Sequence, residues 1–164
     1  QSVDIDTIIS ELKILPKFNT IICLQCSKET KETSDPIIDP RYPGMTKYLK
    51  EKYNITFDPK DFKYPLFDMP YINSIMESLK LVNSRILSLK PYTCYKYHQD
   101  KPNVSPRINI PIITNESNWL IVDNELHHLP AGHCYLVDTT QWHTSVNASD
   151  IDRWSIIGDA TNYI

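Results

Sequence analysis

Two histidines, an aspartate and an arginine in the second half of the chain have the types and spacing to do chemistry. His98 and Asp100 stand two apart in YKYHQD, His143 follows in TTQWHTSV, and Arg153 comes ten residues later in DIDRWSIIGD. Residues i and i+2 of a strand face the same way, so His98 and Asp100 can reach one ion together. A second imidazole from a distant strand, His143, completes two nitrogens and one carboxylate on one side of a metal. Such a facial set leaves coordination positions open, which suits a non-haem Fe(II) oxygenase better than a closed structural site. Taken alone, H-x-D also describes a strand-end histidine beside a turn aspartate. The ordered company of His143 and Arg153 favours the metal.

Other residues of these types have plainer readings. His127 and His128 lie in ELHHLP with no carboxylate two places on, and His133 reads as an exposed turn residue. Asp138 braces a turn or orients His143. Cys23 and Cys26 have the C-x-x-C form of a zinc half-site or redox pair, but no second half-site follows, so they read as small buried or edge residues. Cys94 and Cys134 read as core, Trp119 and Trp142 as core or pocket wall, and Tyr92, Tyr95 and Tyr97 as packing, with one phenol free to reach a ligand. Outside a site, Arg153 would pair with Asp150 or Asp152, and Arg107 with a carboxylate on a neighbouring strand.

To position the candidate ligands, the second half must be β. From residue 84 onward eight short runs, SRILSLK, YTCYKYH, RINIPII, NWLIVD, ELHHLP, HCYLVD, HTSVN and RWSIIGDA, alternate with turn signals. Strands at this spacing predict a sandwich or double-sheet jelly roll. In RINIPII, Ile108, Ile110 and Ile112 share one face and Arg107 and Asn109 the other. In RWSIIGDA, Trp154 and Ile156 oppose Arg153, Ser155 and Asp159. Polar residues on an inner strand face are costly unless a ligand pairs them, so these strands should pack helices outside and line a polar pocket inside.

The first half, residues 1–83, reads as a mixed helical support. A helix is predicted over 5–15 with Asp4 or Asp6 as N-cap, then a strand over 19–26. A polar, proline-rich surface loop covers 28–45, either a lid or a plain connector. A short helix over 46–53 and an amphipathic helix over 71–82, introduced by Pro70, complete it. The expected architecture is one domain over 1–164, mainly β with N-terminal helices, its core at 84–164.

Composition bounds the function. A chain of 164 residues with 41% hydrophobic and 23% charged residues fits a soluble globular domain with one sizeable core. The net charge of −3 argues against a broad nucleic-acid surface. No apolar run reaches membrane-spanning length, and the first residues lack the form of a signal peptide. Four cysteines without a disulfide framework suit a reducing, cytoplasmic setting. Oligomeric state is not legible.

Four segments, KPYTCYKYHQD, PRINIPIIT, LPAGHCYLVDTTQWH and VNASDIDRWSIIGD, resemble in order and spacing the aspartyl/asparaginyl β-hydroxylase group of Fe(II)- and 2-oxoglutarate-dependent oxygenases, which includes free-proline hydroxylases. The resemblance covers residues 84–159 and implies a double-stranded β-helix, the cupin-like form of the jelly roll. It implies that His98, Asp100 and His143 hold Fe(II), that Arg153 pairs with the distal carboxylate of 2-oxoglutarate, and that Arg107 lies near its 1-carboxylate. Asn109 stands where the family often has histidine. The polar residue that helps hold the distal carboxylate in some members falls at Leu87, with Ser88 one place out of register. Some animal members lack the carboxylate ligand, whereas Asp100 supplies it here, which argues against a halogenase.

The activity so implied uses O2 and 2-oxoglutarate to hydroxylate a C–H bond of an amino acid, peptide residue or similar small molecule, with succinate and carbon dioxide as coproducts. Two rivals stay open: a metal cupin that needs no 2-oxoglutarate, and a non-catalytic jelly-roll binding module.

Overall fold

The computed structural model describes residues 1–17, 20–31, 45–56, 58–102 and 106–160. Its helices are α1 (Ile5–Glu11), α2 (Lys28–Lys31), α3 (Met45–Tyr53) and α4 (Pro70–Ser78). Its strands are β1 (Ile21–Cys23), β2 (Gln25–Cys26), β3 (Tyr64–Pro65), β4 (Leu81–Leu89), β5 (Thr93–Cys94), β6 (Arg107–Ile113), β7 (Asn118–Val122), β8 (Glu125–His127), β9 (Tyr135–Val137), β10 (His143–Asn147) and β11 (Arg153–Ala160). Two antiparallel sheets, β1-β4-β11-β6-β9 and β5-β10-β7-β8, form the jelly roll, with β2 and β3 paired beside it. This is the cupin-like double-stranded β-helix that the sequence predicts.

Helices α1 and α4 cover one face of the larger sheet. The Asp4 carboxylate accepts from the Asp6 and Thr7 N–H groups and starts α1, which tightens into a 3-10 turn at Leu12–Ile14. Pro70 opens α4, where a missing N–H is harmless. The Glu11 carboxylate then accepts from Tyr71 N–H at 2.7 Å and Ile72 N–H at 2.8 Å, so α1 caps α4. Ile72, Ile75 and Met76 follow helical spacing and join Ile8 and Leu12 against Ile86, Ile108, Ile110, Ile112 and Ile156. Each such side chain contributes about 1.5–3 kcal/mol by burial. The opposite face of the same strands carries Arg85, Arg107, Asn109, Arg153, Ser155 and Asp159. Alternation therefore sorted the helix-packed face from the polar interior correctly.

Several boundaries differ from the sequence pattern, each for a local reason. The helix predicted to 82 ends at Ser78 because Lys80 takes a left-handed φ of 51°, and β4 begins at Leu81. Apolar Leu81 and Val82 fit either continuation, so periodicity could not separate them. The run over 19–26 splits at buried Leu24 into β1 and β2, which join different sheets. The predicted loop opens with α2 and gives way to α3 at Met45; residues 32–44 between them lie outside the described residues. The strand expected over 92–98 is reduced to β5 and a single bridge between His98 and His143, beginning after Tyr92 at φ 56°. Because β5 is an edge strand, Cys94 is exposed rather than core, and Cys134 is half-buried. Cys23 and Cys26 are buried. Among the described residues no helix is long and apolar enough to cross a membrane.

Candidate active site

His98 and His143 meet across the bridge that continues β10 beyond β5. Their backbones exchange hydrogen bonds, His98 N–H to His143 C=O at 3.1 Å and His143 N–H to His98 C=O at 2.8 Å. Such directly paired residues bring their side chains together, and the ring centres lie 4.3 Å apart. Each ring is turned the same way by its own backbone: Nδ1 of His98 lies 2.6 Å from Lys96 C=O, and Nδ1 of His143 lies 2.9 Å from Gln141 C=O. A carbonyl can only accept, so Nδ1 carries the proton and both Nε2 lone pairs face inward as metal donors.

Asp100 arrives from the segment after the bridge, held by its N–H to Thr139 C=O at 2.8 Å. Its Oδ1 lies 3.7 Å from His98 Nε2 and its Oδ2 lies 3.8 Å from His143 Nε2. One donor atom from each of the three residues falls within 4.8 Å of the others. Two imidazole nitrogens and one carboxylate at this separation could hold a single divalent ion. Burial pushes the His143 imidazole below its ordinary range and keeps it unprotonated, as a ligand must be. The neighbouring His98 and Arg107 reinforce that direction, while the Gln141 carbonyl and Asp100 oppose it.

His98 and His143 line a cavity of about 160 Å³ between the sheets, together with Arg85, Tyr95, Asn109 and Thr139 among others. Leu87, Tyr95, Asn109, Ser145 and Ile157 continue from it into a narrow extension that also touches Arg153 and Ser155. Arg153 is 4% exposed. It reaches from β11 across to the opposite sheet, where Nη1 donates to Trp119 C=O at 2.8 Å and Val146 C=O at 3.3 Å. Burial lowers its pKa to about 10, so it stays charged at neutral pH. Among the described residues no carboxylate pairs with it; Asp152 pairs instead with Lys90 at 2.7 Å. Its charge is therefore buried beside the cavity with two carbonyls as its hydrogen-bond partners.

Arg107 sits at the other end of the cavity and is already engaged. Its Nη1 lies 2.5 Å from Asp100 Oδ2 and its Nε lies 3.1 Å from Asp159 Oδ1. Asn109 is buried, and its Oδ1 has no hydrogen-bond partner among the described residues. Leu87 lines the cavity, whereas Ser88 points the other way, so the position upstream offers no polar contact. Asp138 braces the turn before His143 by accepting from Thr140 N–H and Oγ1. His127, His128 and His133 lie apart from the cluster. Trp142 is 48% exposed and stacks on exposed Tyr97 at 5.4 Å, so neither is core, and Tyr92 is exposed too. Tyr95 alone of the three tyrosines lines the cavity. Sequence inspection missed Arg85, which is 1% exposed and sits on the inner face of β4. Its signal was the alternation of Arg85 and Leu87 within SRILSLK, which puts Arg85 on one face of the expected strand.

A jelly-roll barrel thus brings two imidazoles and a carboxylate together in a cluster that could hold a metal ion. Residues 49–162 match the family model described as aspartyl/asparaginyl beta-hydroxylase, and the chain belongs to that family. It is thus a metal-dependent hydroxylase or oxygenase by family and donor set. Among solved structures, the plu4264 protein from Photorhabdus luminescens is similar at 13% identity and a TM-score of 0.39, over 49% of this chain and 67% of that one. A cupin 2 conserved barrel domain protein from Salinispora arenicola is similar at 16% identity and a TM-score of 0.37, over 46% of this chain and 59% of that one. Salicylate 1,2-dioxygenase from Pseudaminobacter salicylatoxidans is similar at 18% identity and a TM-score of 0.41, over 49% of this chain and 22% of that one. The curated proteins contain no match.

Proposed function

We propose that the protein is an Fe(II)- and 2-oxoglutarate-dependent dioxygenase that hydroxylates a C–H bond of an amino acid, a peptide residue or a similar small molecule. The observation that carries this is the joint placement of an open His98, Asp100 and His143 set and the unbalanced buried charge of Arg153 along one barrel interior. A metal cupin working without an acidic cosubstrate has no use for that charge. When bound, Fe(II), 2-oxoglutarate and O2 supply the oxidising power, with succinate and carbon dioxide as coproducts.

The chain's own residues prepare the site. Lys96 and Gln141 carbonyls fix both histidine tautomers, and Asp100 would add one carboxylate to a metal held by the two imidazoles. Arg153 offers the planar fork that a carboxylate accepts, fixed by two carbonyls of the facing sheet. Ser155 and Tyr95 flank the path to it, and Arg107 and Asn109 border the end where a 1-carboxylate would lie. The apolar walls at Leu87, Leu120 and Ile157 exclude water. Four free thiols support a reducing, cytoplasmic setting.

Anaerobic titration tests the proposal. Fe(II) and 2-oxoglutarate added together to the protein should give a weak visible charge-transfer band that neither gives alone. A site that binds Fe(II) without this band on adding 2-oxoglutarate would be a cupin of another kind.

A further inference from the structure

We infer that Asp159 is a positioning residue that acts through Arg107 to fix Asp100 as a one-oxygen metal ligand. The inference rests on the metal site proposed above. Asp159 and Arg107 stand directly opposite each other on β11 and β6, both on the inner face. Arg107 spans two carboxylates, with Nε 3.1 Å from Asp159 Oδ1 and Nη1 2.5 Å from Asp100 Oδ2. Asp159 is itself immobile. It is 1% exposed, its Oδ2 accepts from Asn83 Nδ2 at 2.9 Å, and Arg85 Nη1 lies 3.8 Å from its Oδ1. Asn83 is anchored in turn at a left-handed φ of 52°, with its N–H bonded to Phe62 C=O at 2.7 Å.

Asp100 needs such a fix because the sheets do not provide one. It follows the last bridge and is tied by its N–H to Thr139, so its carboxylate is positioned by side-chain contacts and not by a strand. Arg107 Nη1 lies against Oδ2, which is itself 3.8 Å from His143 Nε2, and draws on that oxygen's charge, so Oδ1, 3.7 Å from His98 Nε2, is left as the stronger donor. Held this way, Asp100 takes one coordination position. A carboxylate released from Arg107 could chelate through both oxygens and close a position that a ligand needs. The position of Arg107 is set in turn by Asp159, whose Oδ1 accepts from its Nε at 3.1 Å.

Co(II) is the probe, because its visible d–d bands report coordination number without turnover. The parent should bind one Co(II). Asp159→Asn keeps the shape but removes the anchoring charge, and should change the d–d spectrum and weaken Co(II) by about 10- to 100-fold, the range for groups that orient ligands. Arg107→Lys keeps a charge that cannot span two carboxylates and should give the same altered spectrum. The double variant should be no worse than either single one, since both break one unit. A lowered unfolding midpoint with the parent's spectrum and Co(II) affinity within about twofold would make Asp159 structural only and overturn the inference. If Asp159→Asn fails to fold, the Arg107→Lys spectrum decides alone, a parent-like spectrum refuting it. Failure of the parent to bind Co(II) would instead remove the metal site itself.

Discussion

Replacing Arg153 by leucine should remove the cosubstrate while leaving both metal and fold in place. The side chain is 4% exposed and donates to the carbonyls of Trp119 and Val146. Leaving those carbonyls without a donor costs about 1–3 kcal/mol. Against that, the free protein loses a buried cation whose charge burial already disfavours, as its pKa near 10 records. The two effects oppose each other, so the unfolding free energy should change little. Cosubstrate binding has no such compensation. A buried carboxylate facing leucine loses a partner worth about 3–5 kcal/mol, or roughly two to three and a half decades in affinity. Arg153→Lys keeps the charge but not the fork and should fall between. Calorimetric titration of 2-oxoglutarate into the Zn(II)-loaded proteins, with a parallel metal titration, reads both quantities. A cosubstrate affinity within about threefold of the parent would refute the reasoning, since that is under 1 kcal/mol and less than one charge-assisted hydrogen bond.

His98→Ala and His143→Ala should each abolish Fe(II) binding with the fold retained; stoichiometric Fe(II) in both would withdraw the ligand assignment. Asp100→Ala should weaken the metal and sharply lower succinate formation at saturating iron, and turnover equal to the parent would mean a two-histidine site. Burial depresses the His143 pKa below 6.5, so the unfolded chain binds the extra proton first as pH falls. The metal-free protein should therefore be fully stable above about pH 7, and lose stability as pH falls through 6.5 toward the folded value. The slope should not exceed about 1.4 kcal/mol per pH unit for one proton. Thermal unfolding of parent and His143→Ala across this range checks it, parallel profiles counting against it. A Cβ at Gly158 would lie 2.6 Å from Ser84 Oγ and 3.0 Å from two Leu81 side-chain carbons. Gly158→Ala should cost about 1–3 kcal/mol in urea unfolding by overpacking, and a loss below about 0.5 kcal/mol would show that the contact relaxes.

Local chemistry in the sequence determined the strands, their faces and the candidate donors. RINIPII, HTSVN and RWSIIGDA became β6, β10 and β11 with the predicted limits, because alternation is a property of neighbouring residues and each strand has one wall to bury. His98, Asp100, His143 and Arg153 were legible for the same reason: type and spacing are local. Where two continuations were equally apolar, as at Leu81 and Val82, or where one run served two sheets, as at Leu24, local pattern had no preference to express. Partners were beyond it altogether. Arg107 could be read as a pocket residue or as an ion-pair residue, and only the register of β6 against β11 placed Asp159 opposite it with Asp100 within reach. The same holds for Trp142, whose exposure depends on what the fold lays over it. A residue's chemistry belongs to the sequence, but distance across a sheet is set by long-range pairing, and tertiary structure alone decides which charges meet.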